Sequence, residues 1–192
     1  MERKKEMKLK QIVKKMESHF ITRYDLVYET ADKQEKVYEM ISRNKNIQNL
    51  EELQNHTPDA VVLILHNEEG NKILLNKEFR MAVGKWVYNF PAGLIDPGEE
   101  PVQSAKRELK EETGLDLVEI KDILFNSYSA VGFSNEVNVC VVGTAKGNFQ
   151  RSSSVFEEIE AGWYTKEEIL ALLKDNEFAA RTQAYCYAWA CS

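Results

Sequence analysis

The sequence predicts an α/β fold with a mixed sheet, preceded by a small unit of one N-terminal helix and a β-hairpin. Three observations lead there. From residue 59 onward, apolar runs of strand length alternate with helical patterns. Ahead of them, residues 44–58 are strongly polar (Asn44, Asn46, Gln48, Asn49, Gln54, Asn55) and read as a junction between units 1–56 and 57–192. Before that junction, two runs rich in aromatic and aliphatic residues flank a short polar link.

The elements follow in order. Leu9, Ile12, Val13 and Met16 stand at i, i+3, i+4 and i+7, the spacing of one helical face, so residues 1–18 are expected to be helical. Residues 21–30 and 34–42 carry Tyr24, Leu26, Tyr28, Val37, Tyr38 and Met40 about the link Ala31-Asp32-Lys33 and are expected to pair as a hairpin. Strands are expected at 60–65 and 72–79, joined by the turn Asn67-Glu68-Glu69-Gly70-Asn71, and again at 86–90. A helix follows over residues 101–113. Pro101 suits its first turn, where a missing N–H costs nothing, and Gly114 suits the left-handed position that ends it. Further strands are expected at 117–128, 136–144 and 161–164. The capping box Thr165-Lys166-Glu167-Glu168 opens a helix through Leu173, and an aromatic helix over 178–189 closes the chain.

Composition narrows the function classes. With 192 residues, 43% hydrophobic and 29% charged, the chain has the make-up of an ordinary globular protein, with room for one generous domain or a catalytic domain and a smaller appendage. A net charge of -6 argues against a general nucleic-acid binder, which needs a basic face. No run of about 18 apolar residues is present, so no membrane span is expected. The basic N-terminus (Arg3, Lys4, Lys5, Lys8, Lys10) is too interrupted by charge for a secretion signal. Cys140, Cys186 and Cys191 are odd in number and lack CxxC spacing, which points away from disulfides and zinc and toward a cytoplasmic setting. His19, His56 and His66 are scattered, with no second ligand at helical spacing.

The helix over 101–113 breaks local rules. At about 100° per residue, Val102, Ala105 and Leu109 share one arc suited to packing on a sheet. Gln103, Lys106 and Lys110 flank it on one side, Glu108, Glu111 and Glu112 on the other. Like charges at i and i+4 repel, and carboxylates in the last turn oppose the helix dipole. Carboxylates converging at the wrong end of a helix make sense around a hard divalent cation, and oxygen donors select magnesium, calcium or manganese. Glutamate-rich helices are also common as solvated surfaces, so the flanking spacing has to decide.

That spacing is Gly93-Leu94-Ile95-Asp96-Pro97-Gly98-Glu99, seven intervening residues, then Arg107-Glu108-Leu109-Lys110-Glu111-Glu112-Thr113-Gly114-Leu115. It resembles the Nudix box at every defining position, and the surrounding order of elements is similar to the Nudix α/β/α sandwich across 57–192. The resemblance implies metal-assisted phosphoanhydride hydrolysis with Mg2+, or Mn2+ in its place. It implies that Glu108 and Glu112 are principal metal ligands, that Glu111 shares in coordination, and that the Ala92 carbonyl completes the shell. Arg107 would orient a box carboxylate such as Glu111, and Glu99 would brace the loop before the helix.

Arg80, then Trp86, then Phe90-Pro91-Ala92-Gly93 looks like the ADP-ribose pyrophosphatase branch of the family, as does a hairpin ahead of the catalytic domain. That likeness implies a small nucleotide substrate and a homodimer in which the N-terminal unit is exchanged and helps hold the nucleoside. Arg80 would then contact the diphosphate, though it also reads as a strand-end ion pair. Arg43 is a candidate contact from the partner subunit, and Glu136 a candidate for metal or substrate. Tyr24, Tyr28 and Tyr38 could stack on a base or pack in a core. Glu157 or Glu158, after the serine-rich stretch Ser152-Ser153-Ser154, would supply the general base. Two departures stand out: Val131 where the branch often has proline, and Asn89 where it often has glutamate. A non-catalytic nucleotide sensor or partner-binding protein on the same fold would be marked by loss of box carboxylates, and none is lost.

Overall fold

A computed structural model describes residues 7–154 and 156–192. The chain forms two compact units, Met1–Asp59 with Asn126–Asn138, and Ala60–Phe125 with Val139–Ser192.

The first unit is a three-stranded antiparallel sheet, β1 (Lys8–Glu17), β2 (Thr22–Glu29) and β3 (Glu35–Ser42) in that order, followed by the short helix α1 (Leu50–Gln54). Its core is Tyr24, Leu26, Met40, Ile47 and Leu53. Tyr24 is wholly buried, and its hydroxyl donates to the Asn44 carbonyl at 2.9 Å, which suits a core tyrosine.

β1 is where a helix was expected. Residues 1–6 of that stretch lie outside the described residues; the remainder is strand. Its register against β2 slips between Leu9 and Gln11 and again between Lys14 and Met16. The first slip pairs Leu9 with Tyr28 and Ile12 with Leu26, and both Leu9 and Ile12 pack on the same core. A bulge adds one residue to a strand, so side chains three apart return to one face. The i, i+3 spacing was therefore a bulged strand, not a helical turn.

The second unit is built on a seven-stranded mixed sheet. Its main path runs β10 (Ile159–Tyr164), β5 (Ile73–Arg80), β4 (Ala60–His66), β9 (Val137–Lys146) and β8 (Asp116–Tyr128). β6 (Lys85–Asn89) pairs with β5, and β7 (Ala92–Leu94) with β4. The unbroken apolar run of β4 shows that both sheet faces are covered. Val61, Leu63 and Leu65 face α2 (Pro101–Thr113) through Ala105 and Leu109. Val62 and Ile64 face α3 (Lys166–Asp175) and α4 (Ala180–Ala190) through Ile169, Cys186 and Ala190. All of these side chains are buried. Cys186 has no disulfide, and burial pushes its thiol up to about 12, so it behaves as a small apolar group. Among the described residues no helix is long and apolar enough to cross a membrane.

Candidate active site

The site begins where β5 changes character. Leu74 packs in the α2-side core, and the positions that follow it on that face are Asn76, Glu78 and Arg80. Asn76 and Glu78 are nonetheless buried. α2 supplies the opposing surface. Pro101 opens it, the Gln103 side chain accepts the Glu100 N–H at 3.0 Å, and Gly114, at φ 79, ends it by donating to the Lys110 carbonyl at 3.0 Å. Burial of Ala105 and Leu109 orients the helix so that Glu112 meets Asn76 of β5 and Glu108 meets Gly93 of β7.

Glu112 is 6% exposed, and its carboxylate accepts one hydrogen bond, from Asn76 Nδ2 at 2.8 Å. Burial first, then the charges of Glu108 and Glu78, push its pKa well above the usual carboxylate range. Glu108 is also raised, chiefly by burial, with Arg107 pulling against the shift. Its carboxyl lies on the backbone of Gly93, where an added Cβ would stand 1.9 Å from the carboxyl carbon. A side chain at 93, the residue that follows Ala92 on β7, would thus displace the Glu108 carboxyl from this position.

Arg107 is the hub of the outer side. Its Nε and Nη2 form a fork on Glu99 at 3.1 and 2.9 Å, Nη1 reaches Glu108 at 2.6 Å, and Nη2 also donates to the Leu94 carbonyl. Glu111 is a more distant partner at 3.3 Å. The sequence expectation was that Arg107 orients a box carboxylate, Glu111 first; the guanidinium does reach Glu111, and it holds Glu99 and Glu108 more closely. The reason is reach: the guanidinium turns back over the loop that precedes α2, where Glu99 is also held by Ser104. Arg107 first, then Ser104, hold the Glu99 carboxyl down to about 2.

The remaining expected residues divide. Glu157 is exposed, yet its charge is felt by both Glu108 and Glu112. Glu158 is exposed, and its backbone carbonyl accepts the Phe79 N–H at 3.0 Å. Arg80 forms a 3.5 Å ion pair with Glu78. Arg43 and Glu136 belong to the first unit and pair with each other at 2.5 Å. Tyr24 is a core residue of that unit, while the Tyr38 hydroxyl donates to the Gly132 carbonyl.

Asn76 and Glu78 were missed in the sequence because they lie outside the box. The available signal was the break in an apolar run: Ile73, Leu74 and Leu75 are followed by polar residues, and on the face of Leu74 the next two are Asn76 and Glu78. Among the described residues no three acidic, histidine or cysteine side chains already converge on one point suited to a metal. The donor set is nonetheless that of a hard cation: buried carboxylates under mutual repulsion, beside Asn76, whose buried Oδ1 has no hydrogen-bond partner among the described residues.

Comparison with known proteins agrees with this geometry. Residues 56–186 match the NUDIX domain family. The ADP-ribose pyrophosphatase of Bacillus subtilis is 30% identical over 130 residues, 67% of this chain and 69% of that protein. An ADP-ribose pyrophosphatase of Saccharomyces cerevisiae is 34% identical over 62% of this chain but only 46% of its own length. A solved ADP compounds hydrolase superposes with a TM-score of 0.72 at 19% identity, covering 97% of this chain and 92% of that one, a likeness of fold. With the box intact from Gly93 to Leu115 inside a match over most of the chain, this protein belongs to the NUDIX family and is a pyrophosphohydrolase.

Proposed function

We propose that the chain hydrolyses the diphosphate linkage of a nucleoside diphosphate derivative, ADP-ribose or a related nucleoside diphosphate sugar, to a nucleoside monophosphate and a sugar phosphate. Mg2+ is the proposed cofactor, with Mn2+ able to replace it. The observation that carries this reading is Glu112, a carboxylate buried against a neutral amide and within the field of Glu108 and Glu78. Such burial is costly unless a cation offsets it. The substrate class is supported by the names of the Bacillus subtilis and Saccharomyces cerevisiae relatives.

When bound, the ion would neutralise diphosphate oxygens and lower the pKa of a water molecule. Glu108, Glu112, Glu111 and the Ala92 carbonyl are the proposed donors. Arg107 keeps Glu108 against Gly93 and so fixes where one donor stands. Arg80 is the proposed contact for a diphosphate oxygen, supported by its more than half exposed position at the end of β5 and its long contact with Glu78. Glu157 is the proposed proton acceptor, favoured over Glu158 because both box carboxylates feel its charge. Residues 1–56 are proposed as the dimerisation unit of a cytoplasmic homodimer, with Arg43 and Glu136 as further substrate contacts.

The test is chromatography of products from ADP-ribose, GDP-mannose and UDP-glucose, with and without Mg2+. AMP from ADP-ribose, lost on chelation, is the expected result. No nucleoside monophosphate from any of the three would reject the assignment.

A further inference from the structure

One acid of the site is outside the box. Glu78 is 8% exposed, on the α2-facing side of β5, and Glu112 feels its charge. What holds it is Asn89 on β6. In the β5–β6 register Glu78 is opposite Val87, so Asn89 is its diagonal neighbour on the same face, within reach of a long side chain. Asn89 Nδ2 donates to Glu78 Oε1 at 3.0 Å.

The direction of that bond is fixed by the other end of the amide. Asn89 Oδ1 accepts from the Phe90 N–H and from the hydroxyl of Thr182, each at 2.9 Å. A backbone N–H can only donate, so the oxygen of Asn89 must face it and the NH2 group must face Glu78. Thr182 is wholly buried, which locks the arrangement from α4. Position 78 therefore needs an acceptor, which either glutamate or glutamine provides. The other partner of Glu78 is Arg80, a 3.5 Å contact from a side chain more than half exposed, which offsets little of the cost of a buried charge.

The second observation is Asn76, two residues earlier on the same face. It is 1% exposed, its NH2 group is on Glu112, and its buried Oδ1 has no hydrogen-bond partner among the described residues. An unsatisfied amide oxygen and a held carboxylate thus stand side by side on β5, both next to Glu112.

We propose that β5 contributes to the cation site: Glu78, held by Asn89, supplies a carboxylate to a divalent ion shared with Glu112, and the Asn76 oxygen is a neutral donor beside it. This rests on the metal-dependent reading above. The acid–amide pair gives the site a charge that the box does not encode, delivered from the sheet and not from α2.

The test is Mn2+ binding to the purified full chain, followed by electron paramagnetic resonance of the free ion, with no substrate present. Glu78→Gln keeps the acceptor for Asn89 and removes only the charge. It is expected to weaken Mn2+ binding ~10–100-fold, the range for loss of a supporting ligand, with the melting temperature held or raised. The double change Glu78→Gln with Asn89→Asp reverses the hydrogen bond, returns one negative charge to the pair, and is expected to recover part of the affinity. Glu112→Gln is the control on the metal reading. Absence of Mn2+ binding by the unaltered chain would overturn both proposals. Binding lost in Glu112→Gln but unchanged in Glu78→Gln would overturn this one alone, as would failure of the double variant to regain any affinity.

Discussion

Replacing Glu112 by glutamine is expected to stabilise the metal-free protein while removing its activity. The carboxyl is buried, and burial, Glu108 and Glu78 all raise its pKa, with only Asn76 among the principal influences lowering it. The sign of the pH effect follows from proton linkage. An acid whose folded pKa lies above its unfolded value, here near 4.5, carries more protons folded than unfolded across the interval between them. Stability therefore falls as pH rises through that interval, and all of the loss is due to forcing a buried carboxylate to ionise. Glutamine has the same shape and can still accept the Asn76 amide hydrogen. Replacing a buried ion pair by well-packed hydrophobic residues of similar volume is neutral or stabilising by about 1–4 kcal/mol, and Glu112 has no ion-pair attraction to lose. The Asn76 bond already offsets part of the cost, so about 1–2 kcal/mol is expected, or about 2–8 °C at this chain length.

The measurement is thermal unfolding by circular dichroism in EDTA, from pH 5 to pH 8, on both proteins. Other groups also titrate. Glu108 and Asp59, raised chiefly by burial, slope in the same direction as Glu112. His66, lowered chiefly by burial, slopes oppositely below its unfolded value near 6.5. The difference between the two curves cancels the contributions of Asp59 and His66, keeps the part of Glu108 that is coupled to Glu112, and should widen from pH 5 to pH 8. Saturating Mn2+ should reverse the order by stabilising the unaltered protein alone. A variant that melts at or below the unaltered protein at pH 8, or a difference that does not grow with pH, would refute the reasoning.

Two further outcomes follow from the geometry. Gly93→Ala should leave the fold intact, because the atoms it meets are the flexible end of Glu108, yet lower kcat by about 100-fold by displacing that carboxyl; steady-state kinetics beside a melting curve separate the two effects, and unchanged kcat would remove Glu108 from the chemistry. Glu157→Gln should lower kcat ~100–10000-fold with little change in KM, while Glu158→Gln should stay near the unaltered rate; the reverse order in a pH–rate comparison would move the base to Glu158.

Much of this architecture could be read from the chain because its signals were local. Pro101, Gly114 and the capping box at Thr165 mark helix ends by backbone chemistry that neighbours cannot override, and α2 and α3 begin and end close to them. The apolar run at 60–65 marked the strand β4, and the structure shows both of its faces covered. β1 failed because one extra residue in a strand and one turn of a helix place side chains at the same spacing, and only the partner strand distinguishes them. Residues 44–58 read as a mere junction, yet Asn49 caps α1 by accepting the Glu52 N–H at 3.0 Å. The box carboxylates were visible because their spacing is fixed along one helix. Asn76, Glu78 and Asn89 were not, since what joins them is sheet register and a diagonal contact that no linear motif records.

The charge pattern of α2 explains why its last turn tolerates glutamates. On the solvent flank Lys110 reaches the Gly114 carbonyl at 3.0 Å and Asp116 at 2.9 Å, giving the dipole the cation it favours. On the loop side Arg107 meets Glu99, Glu108 and Glu111 together. Each of these acids has a cation within 3.3 Å. Glu112 does not share in this; its hydrogen-bond partner is an amide, and it is the most deeply buried of the four. The fold has neutralised the helix everywhere except at the one carboxylate facing β5. An added positive charge would gain most there, since attraction grows as solvent screening falls. That asymmetry is a reason to place the chemistry at the inner edge of α2 and to look to β5 for the donors that complete it.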